Sequence, residues 1–308
     1  MKESLIKPNF FILGAAKSGT SALSEYLRDH PNVFFSDPKE PWFFATDFKG
    51  RAVWSTEQYA DLFSGVEEEQ HTAIGEGSVV YLYSKTAVPA ILSYQPDARF
   101  IVMLRNPIEL VQSLHLESLK QGAEDIRSFS EAWRTEQERK AGKQIPWSCP
   151  DPKMLYYSEW GKLGTQLKRV YELAPKDRVK AILFDDFCRA PAECYREVLT
   201  FLNLPDDGRT DFPKVNEART PRFLFLQNIA YETAALRRRM GIKSIPLASR
   251  IHHWMRNMNT QPTTKKEIKS ELHDSLIETY RTEIMLLSEL MERDLSHWLS
   301  PLEESHKL

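Results

Sequence analysis

The sequence predicts a three-layer α/β fold with a mainly parallel central sheet flanked by helices, and three observations predict it. Short, nearly all-apolar runs recur along the 308 residues. Segments with helical spacing lie between them, and such runs suit strands buried on both faces of a parallel sheet. Near the N-terminus one of these runs opens into a small-residue turn and then an amphipathic helix, Asn9-Phe-Phe-Ile-Leu-Gly-Ala-Ala-Lys-Ser-Gly-Thr-Ser21.

The strand-like runs are Phe10–Leu13, Val33–Phe35, Thr72–Gly75, Phe100–Leu104 and Val179–Phe184. Apolar spacing predicts helices over Ser21–Arg28, where Leu23 and Leu27 stand at i, i+4, and over Ala87–Tyr94, Pro107–Leu119, Tyr157–Leu173 and Ala192–Leu202. Pro-containing turns at 174–177 and 204–208 punctuate the later part. Residues 120–152 break the pattern, because Gln121–Asp125 and Ile145–Pro152 flank a single charged helix, Phe129–Lys140. This stretch reads as an excursion over the surface, a candidate substrate lid. Residues 206–265 are also irregular, with Pro213, Pro221, Pro246 and Pro262 spread through them. Glu267–Trp298 returns to helical spacing, with Leu272, Leu276, Ile284, Leu287 and Leu290 apolar. With no internal repeat or low-complexity tract, one domain over 1–308 is expected.

Composition narrows the function classes. The chain has 42% hydrophobic and 11% aromatic residues, enough to fill one large core. The 41 basic and 43 acidic residues nearly cancel, so no global field recruits nucleic acid or an anionic membrane. The basic runs Arg237–Arg239 and Lys265–Lys266 read as solvated helix faces. Three cysteines, Cys149, Cys188 and Cys194, without CxxC spacing predict neither a disulfide framework nor a zinc site. Cys188 and Cys194 read as small buried residues. The N-terminal residues carry no long apolar segment, and no run approaches ~20 uninterrupted apolar residues. Cytoplasmic residence without a membrane span is the expectation.

The turn after the first strand is a site for a phosphate. Unpaired N–H groups at the start of a helix point into the loop, and the helix dipole adds positive potential there. A Walker A loop places its lysine directly after the last glycine, as GxxxxGK[ST]. Here Lys17 precedes Gly19, and Thr20-Ser21 follow it. The loop is therefore wired differently from that of a kinase or GTPase.

Three further segments relate to this loop. In Arg99-Phe-Ile-Val-Met-Leu-Arg-Asn-Pro107 a strand ends at Arg105 and Pro107 starts a helix that carries Ser113. Arg105 is expected at the carboxyl edge of the sheet, where open α/β folds bind ligands. A guanidinium fork and a hydroxyl converging there suit a terminal phosphate. In Asp37-Pro-Lys-Glu-Pro-Trp-Phe-Phe44, Lys39 and Glu40 are held between two prolines with aromatics behind them. A carboxylate against an apolar wall can have its pKa raised toward neutrality, as a general base requires. Gly75-Glu-Gly-Ser-Val-Val-Tyr-Leu-Tyr83 reads either as a lining of the acceptor pocket or as a strand with a bulge.

Together these segments resemble the PAPS-dependent sulfotransferases, over about residues 8–300. Lys17-Ser-Gly-Thr-Ser21 resembles the family's loop for the 5′-phosphosulfate, with Lys17, Ser18, Gly19, Thr20 and Ser21 as binding residues. Arg105 through Ser113 resembles its 3′-phosphate motif. Lys39-Glu-Pro-Trp-Phe-Phe44 is similar to the segment that carries the catalytic glutamate in heparan-sulfate-type members. Phe184-Asp-Asp-Phe187, Phe201-Leu-Asn-Leu204 and Asp294-Leu-Ser-His-Trp298 are similar to its late elements. The resemblance implies a P-loop-like fold and sulfuryl transfer from PAPS (3′-phosphoadenylyl sulfate) to an acceptor hydroxyl, without a metal. The acceptor implied is a small molecule or a glycan. Trp42, Phe43, Tyr81 and Tyr83 are the aromatics expected to stack on a sugar, although a phenol or lipid alcohol would suit them too.

Within that frame Glu40 is the expected base, Lys17 neutralises the leaving phosphate and Lys39 orients the sulfuryl oxygens. His115 is the competing base, two residues after Ser113. Arg219 is a candidate second contact to the 3′-phosphate. The chain departs from the family in carrying Ala15-Ala16 where many members have Pro-Lys or Pro-Arg, and in lacking the glycine-rich basic motif near Val215–Arg222. A P-loop nucleotide kinase and a non-catalytic nucleotide-binding module are the alternatives. The first needs a lysine after Gly19, and the second is expected to have lost one of Lys17, Glu40, Arg105 and Ser113.

Overall fold

The computed structural model describes residues 6–213, 219–221, 260–262 and 270–300. Contacts divide the chain into two compact units, residues 1–110, 160–216 and 280–300 in the first, and 111–159, 217–279 and 301–308 in the second. The basic runs at 237–239 and 265–266, and most of 206–265, lie outside the described residues.

The first unit is built on β1 (Phe10–Gly14), β2 (Val33–Phe35), β3 (Ala73–Gly77), β4 (Arg99–Leu104) and β5 (Val179–Leu183). These form one sheet in the order β2-β3-β1-β4-β5. Every pairing is parallel, with Phe10 opposite both Gly75 and Arg99, and Phe100 opposite Val179. The mainly parallel sheet predicted from the apolar runs is the one found. Phe10, Phe11, Ile12 and Leu13 are all fully buried, as are Phe100–Leu104, because both faces of the sheet are covered. Each such side chain contributes about 2 kcal/mol by leaving water.

Side chains alternate across a strand, so successive residues serve opposite cores. Phe10 and Ile12 pack with Leu23 and Leu27 of helix α1 (Thr20–Arg28), and with Tyr195, Val198 and Leu199 of a later helix, Pro191–Leu202. On the other face Phe11 meets Phe44 and Phe100, and Phe44 in turn meets Tyr59 and Tyr94. Tyr59 comes from α2 (Thr56–Asp61), a helix the apolar spacing did not reveal but the capping signal Ser55-Thr-Glu-Gln58 marks. Tyr94 ends α4 (Ala87–Tyr94), which follows the short helix α3 (Val80–Tyr83).

Three expected boundaries move. Val80–Tyr83 is helical, since β3 stops at Gly77 and the Ser78 carbonyl accepts the Tyr81 N–H at 3.1 Å. The expected strand through Phe184 ends at Leu183, and Phe184–Arg189 is a helix with Asp185 and Asp186 in its first turn, where the helix dipole favours them. The expected helix Tyr157–Leu173 is two, Tyr157–Trp160 and Leu163–Leu173. At the break, a Cβ on Gly161 would stand 2.4 Å from the Tyr280 ring, so only glycine admits that ring. In chain order α5 is Pro107–Lys120, α6 Phe129–Lys140, α7 Tyr157–Trp160, α8 Leu163–Leu173, α9 Phe184–Arg189, α10 Pro191–Leu202 and α11 Ser270–Leu290. Helix α5 begins in the first unit and continues into the second.

The second unit holds a buried ion pair. Arg139 of α6 donates twice to Glu124, at 2.7 Å each, and both side chains are fully enclosed. Tyr157 and the N–H groups of Asp125 and Ile126 complete the carboxylate's partners. Burial alone would raise the Glu124 pKa, but Arg139 and these donors hold it below the usual carboxylate range. Residues 120–152 therefore include a packed interior as well as surface. The same unit holds a two-stranded antiparallel pair, β6 (Arg219–Pro221) and β7 (Thr260–Pro262). Among the described residues no helix is long and apolar enough to cross a membrane.

Candidate active site

The phosphate loop joins β1 to α1. Lys17 and Gly19 adopt positive φ, 62° and 84°, and Gly19 is the N-cap of α1 without a side-chain cap. The first N–H groups of the helix are thus left for another acceptor. Glycine is required at 19 on two counts: its left-handed backbone, and a wall formed by α9. An added Cβ would lie 3.0 Å from Phe187 and 3.2 Å from Phe184. The expected loop residues are all here. Ser18 and Thr20 are buried and Lys17, Gly19 and Ser21 half-buried.

Arg105 follows β4 and packs against this loop. Gly14 is in register with Met103, so the ends of β1 and β4 are neighbours. The strand order reverses between them, which is where open α/β sheets bind ligands. Arg105 Nη1 donates to the Lys17 carbonyl at 2.8 Å, Nη2 donates to Glu109 at 2.5 Å, and the guanidinium lies 4.6 Å from the Phe184 ring centroid. Ser18 Oγ and Arg105 Nε are both buried without a hydrogen-bond partner. Buried polar atoms are rarely left unpaired. An anion bound at the loop is the partner chemistry these atoms fit.

The Glu40 turn arrives at the same edge. Gly77, the last residue of β3, accepts the Glu40 N–H at 2.9 Å, and Gly77 is in register with Ile12 of β1. The Glu40 carboxylate accepts from Lys39 Nζ and from the Trp42 indole N–H, both at 3.2 Å. It remains 31% exposed on its side chain. The expected apolar wall behind Glu40 is therefore not what surrounds it. Phe43 stacks on Tyr59 at 4.4 Å and Phe44 turns into the core. Lys39, expected to face sulfuryl oxygens, is engaged with Glu40 itself.

The carboxylate enclosed by aromatics is Glu76, to which the sequence reading gave no role. It is fully buried and accepts from Ser78 Oγ at 2.7 Å, Tyr59 OH at 2.9 Å and Tyr81 OH at 3.1 Å. Burial pushes its pKa up to about 7, against the pull of the three hydroxyls and of Lys39. An acid at the end of an otherwise small and apolar strand was the only signal for it. Tyr59 approaches from α2, and Tyr81 turns back from α3, five residues on.

The other expected residues are placed as follows. Ser113 lies on α5, half-buried, in the portion belonging to the second unit. His115 lies there too, buried among Phe129 and Tyr157, with Nε2 2.8 Å from the Ile126 carbonyl. Burial holds its pKa below the usual imidazole value. Arg219 opens β6, and its side chain lies outside what is described. Of the aromatics expected to stack on a sugar, Tyr81 is fully buried and Tyr83 packs on Trp160 at 4.8 Å. Trp54 is exposed, 56% accessible, with the Arg51 guanidinium 4.2 Å from its centroid. This pair is tied to the Glu40 turn, since the Pro41 carbonyl accepts from Ala52 and Val53 N–H. Cys194 is buried as expected, whereas Cys188 is exposed.

Residues 7–213, more than half of the chain, match the family described as the sulfotransferase domain. The crystal structure of a sulfotransferase from Alicyclobacillus acidocaldarius superposes with a TM-score of 0.69 at 28% identity, covering 96% of this chain and 100% of that one. Carbohydrate sulfotransferase 15 of Homo sapiens is 30% identical over 162 residues, covering 39% of this chain and 29% of that protein. Heparan sulfate glucosamine 3-O-sulfotransferase 3A1 of Mus musculus is 33% identical over 122 residues, covering 40% and 29%. The match thus spans less than a third of the length of these curated relatives. By its sequence match and its fold, the chain belongs to the sulfotransferase domain family.

Proposed function

We propose that this chain moves a sulfuryl group from PAPS to a carbohydrate hydroxyl, with Glu40 as general base. The observation that carries the reading is Arg105 packed on the phosphate loop, with two buried polar atoms, Ser18 Oγ and Arg105 Nε, unpartnered beside each other's segments. A nucleotide bearing phosphates at both its 5′ and 3′ positions supplies anions for both. The donor contributes a sulfuryl group on a phosphate leaving group, a displacement close in kind to phosphoryl transfer.

In this reading the loop N–H groups and Lys17 stabilise the negative charge that reaches the 5′-phosphate oxygen as its bond to sulfur breaks. Arg105 holds the 3′-phosphate and so selects the donor. Glu40 takes the proton of the acceptor hydroxyl as that oxygen bonds to sulfur. Lys39 and the Trp42 indole hold the carboxylate in place through their 3.2 Å contacts. His115 is disfavoured as the base, because its ring is buried and its Nε2 engaged by a carbonyl.

A sugar acceptor is supported by the carbohydrate and heparan sulfate relatives. The exposed Trp54 against Arg51 supports it independently, since an aromatic face beside a cation suits an anionic sugar. The test is transfer of radiolabel from sulfur-labelled PAPS to a panel of glycans, phenols and aliphatic alcohols. Label on glycans alone is the expected result. Label on phenols alone overturns the acceptor, and absence of transfer to any class overturns the reaction.

A further inference from the structure

We propose that Glu76 is the positioning residue for the Glu40 turn, fixing its backbone through the hydroxyls of Ser78 and Tyr81. The inference rests on Glu40 being the base.

The turn needs holding. Glu40 and Trp42 have φ of 67° and 57°, a left-handed region that L side chains rarely occupy. Three hydrogen bonds fasten it to the end of β3 and the start of α3. Glu40 N–H donates to the Gly77 carbonyl at 2.9 Å, Trp42 N–H to Ser78 Oγ at 3.2 Å, and Phe44 N–H to Tyr81 OH at 3.3 Å. Two of these acceptors are hydroxyls. A hydroxyl both donates and accepts, and it presents a lone pair in a given direction only while its hydrogen points elsewhere. Glu76 decides that direction for both, because Oε1 accepts the Ser78 hydrogen and Oε2 the Tyr81 hydrogen.

The groups facing Glu76 agree with an ionised acceptor. Tyr59 from α2 gives Oε2 a second donor, and Lys39 from the turn pulls the carboxyl pKa down from a distance. Tyr59 and Tyr81 have pKa values raised well above the ordinary phenol by burial and by Glu76, so both stay protonated donors. When Glu76 takes up a proton, one of its oxygens becomes a donor, and a hydroxyl now pointing at it must rotate. A rotating Ser78 releases the Trp42 N–H and a rotating Tyr81 the Phe44 N–H, whereas a rotating Tyr59 releases neither. The turn is thereby coupled to a buried acid whose pKa lies near neutrality.

The experiment compares the wild-type chain with Glu76→Gln, Tyr59→Phe and Ser78→Ala, reading amide hydrogen exchange of the turn at one pH and turnover across a pH series. In Glu76→Gln, exchange at Trp42 or Phe44, according to which hydroxyl the amide nitrogen faces, is expected to speed up by about 5–10-fold, the worth of one hydrogen bond, while β1 amides are unchanged. Turnover is expected to fall by about 10-fold with affinity for adenosine 3′,5′-bisphosphate within about 2-fold of wild type, and the rise of kcat with pH near neutrality to flatten. Ser78→Ala should reproduce the effect at Trp42. Tyr59→Phe, which loses a hydrogen bond to Glu76 but none to the turn and keeps its ring against Phe43 and Phe44, should leave exchange at both amides unchanged. Unaltered exchange and pH profile in Glu76→Gln overturn the proposal, as does faster exchange spread equally over β1. Loss of activity in Glu40→Gln with none in Glu76→Gln overturns it while sparing Glu40. Full activity in Glu40→Gln overturns the reading of Glu40 instead, and the exchange data then decide Glu76's hold on the turn alone.

Discussion

Replacing Glu76 by Gln removes a fully buried carboxyl group whose ordinary pKa of 4.5 is raised to about 7, chiefly by burial. The folded chain therefore holds this proton more tightly than the unfolded chain does. Below about pH 4.5 both states are protonated, and the group's contribution to stability is fully present. As pH rises toward 7 the unfolded chain releases the proton first, so stability is lost, and the loss is complete above the folded value. A displacement of roughly 2.5 units corresponds to about 3 kcal/mol. Carboxylates held below their usual range, such as Glu124 and Asp186, act in the opposite sense and mask the trend in wild type alone. The difference between wild type and Glu76→Gln isolates it, because the other groups are common to both. Urea unfolding followed by circular dichroism at a series of pH values measures that difference. Wild type should lose about 3 kcal/mol relative to the variant between acid and mildly alkaline pH, on top of a pH-independent offset from the amide. Parallel stability curves for the two proteins would refute the reasoning.

Other outcomes follow from the site. Gly19→Ala forces a Cβ into left-handed backbone 3.0 Å from Phe187, so thermal melts should show a loss of about 1–2 kcal/mol, with weakened adenosine 3′,5′-bisphosphate binding by calorimetry. Glu40→Gln should keep nucleotide affinity and lower kcat by ~10²–10⁴, read by steady-state turnover. Trp54→Ala removes the exposed ring beside Arg51 and should raise the KM for a glycan about 2–10-fold with kcat little changed.

Much of the frame was legible because the runs at 10–13 and 100–104 are apolar at every other position as well as between, which few elements besides doubly covered strands require. The loop was legible for a local reason: its glycine, lysine and hydroxyls are contiguous. Arg105 was legible since a strand end followed by Pro107 fixes where the chain emerges. Glu76 was not, because Tyr81 turns back on it only through the unexpected helix Val80–Tyr83 and Tyr59 arrives from α2. The break at Gly161 was hidden for the same reason, its cause being Tyr280 far along the chain. Val80–Tyr83 misled in the other direction. Its β-branched and aromatic residues favour a strand, and the hydrogen bond at Ser78 that starts a helical turn overrides them. The sugar-stacking role assigned to Tyr81 fell with that, since burial leaves it no face for a ligand.

In the proposed mechanism the loop and Arg105 divide a nucleotide between them. Calorimetric titration of wild type and Arg105→Ala with adenosine 3′,5′-bisphosphate and with adenosine 5′-monophosphate measures this. Wild type should prefer the bisphosphate by about 10–100-fold, the worth of a charge-assisted contact, and Arg105→Ala should abolish the preference while retaining the monophosphate. Equal affinity of wild type for the two nucleotides would contradict it.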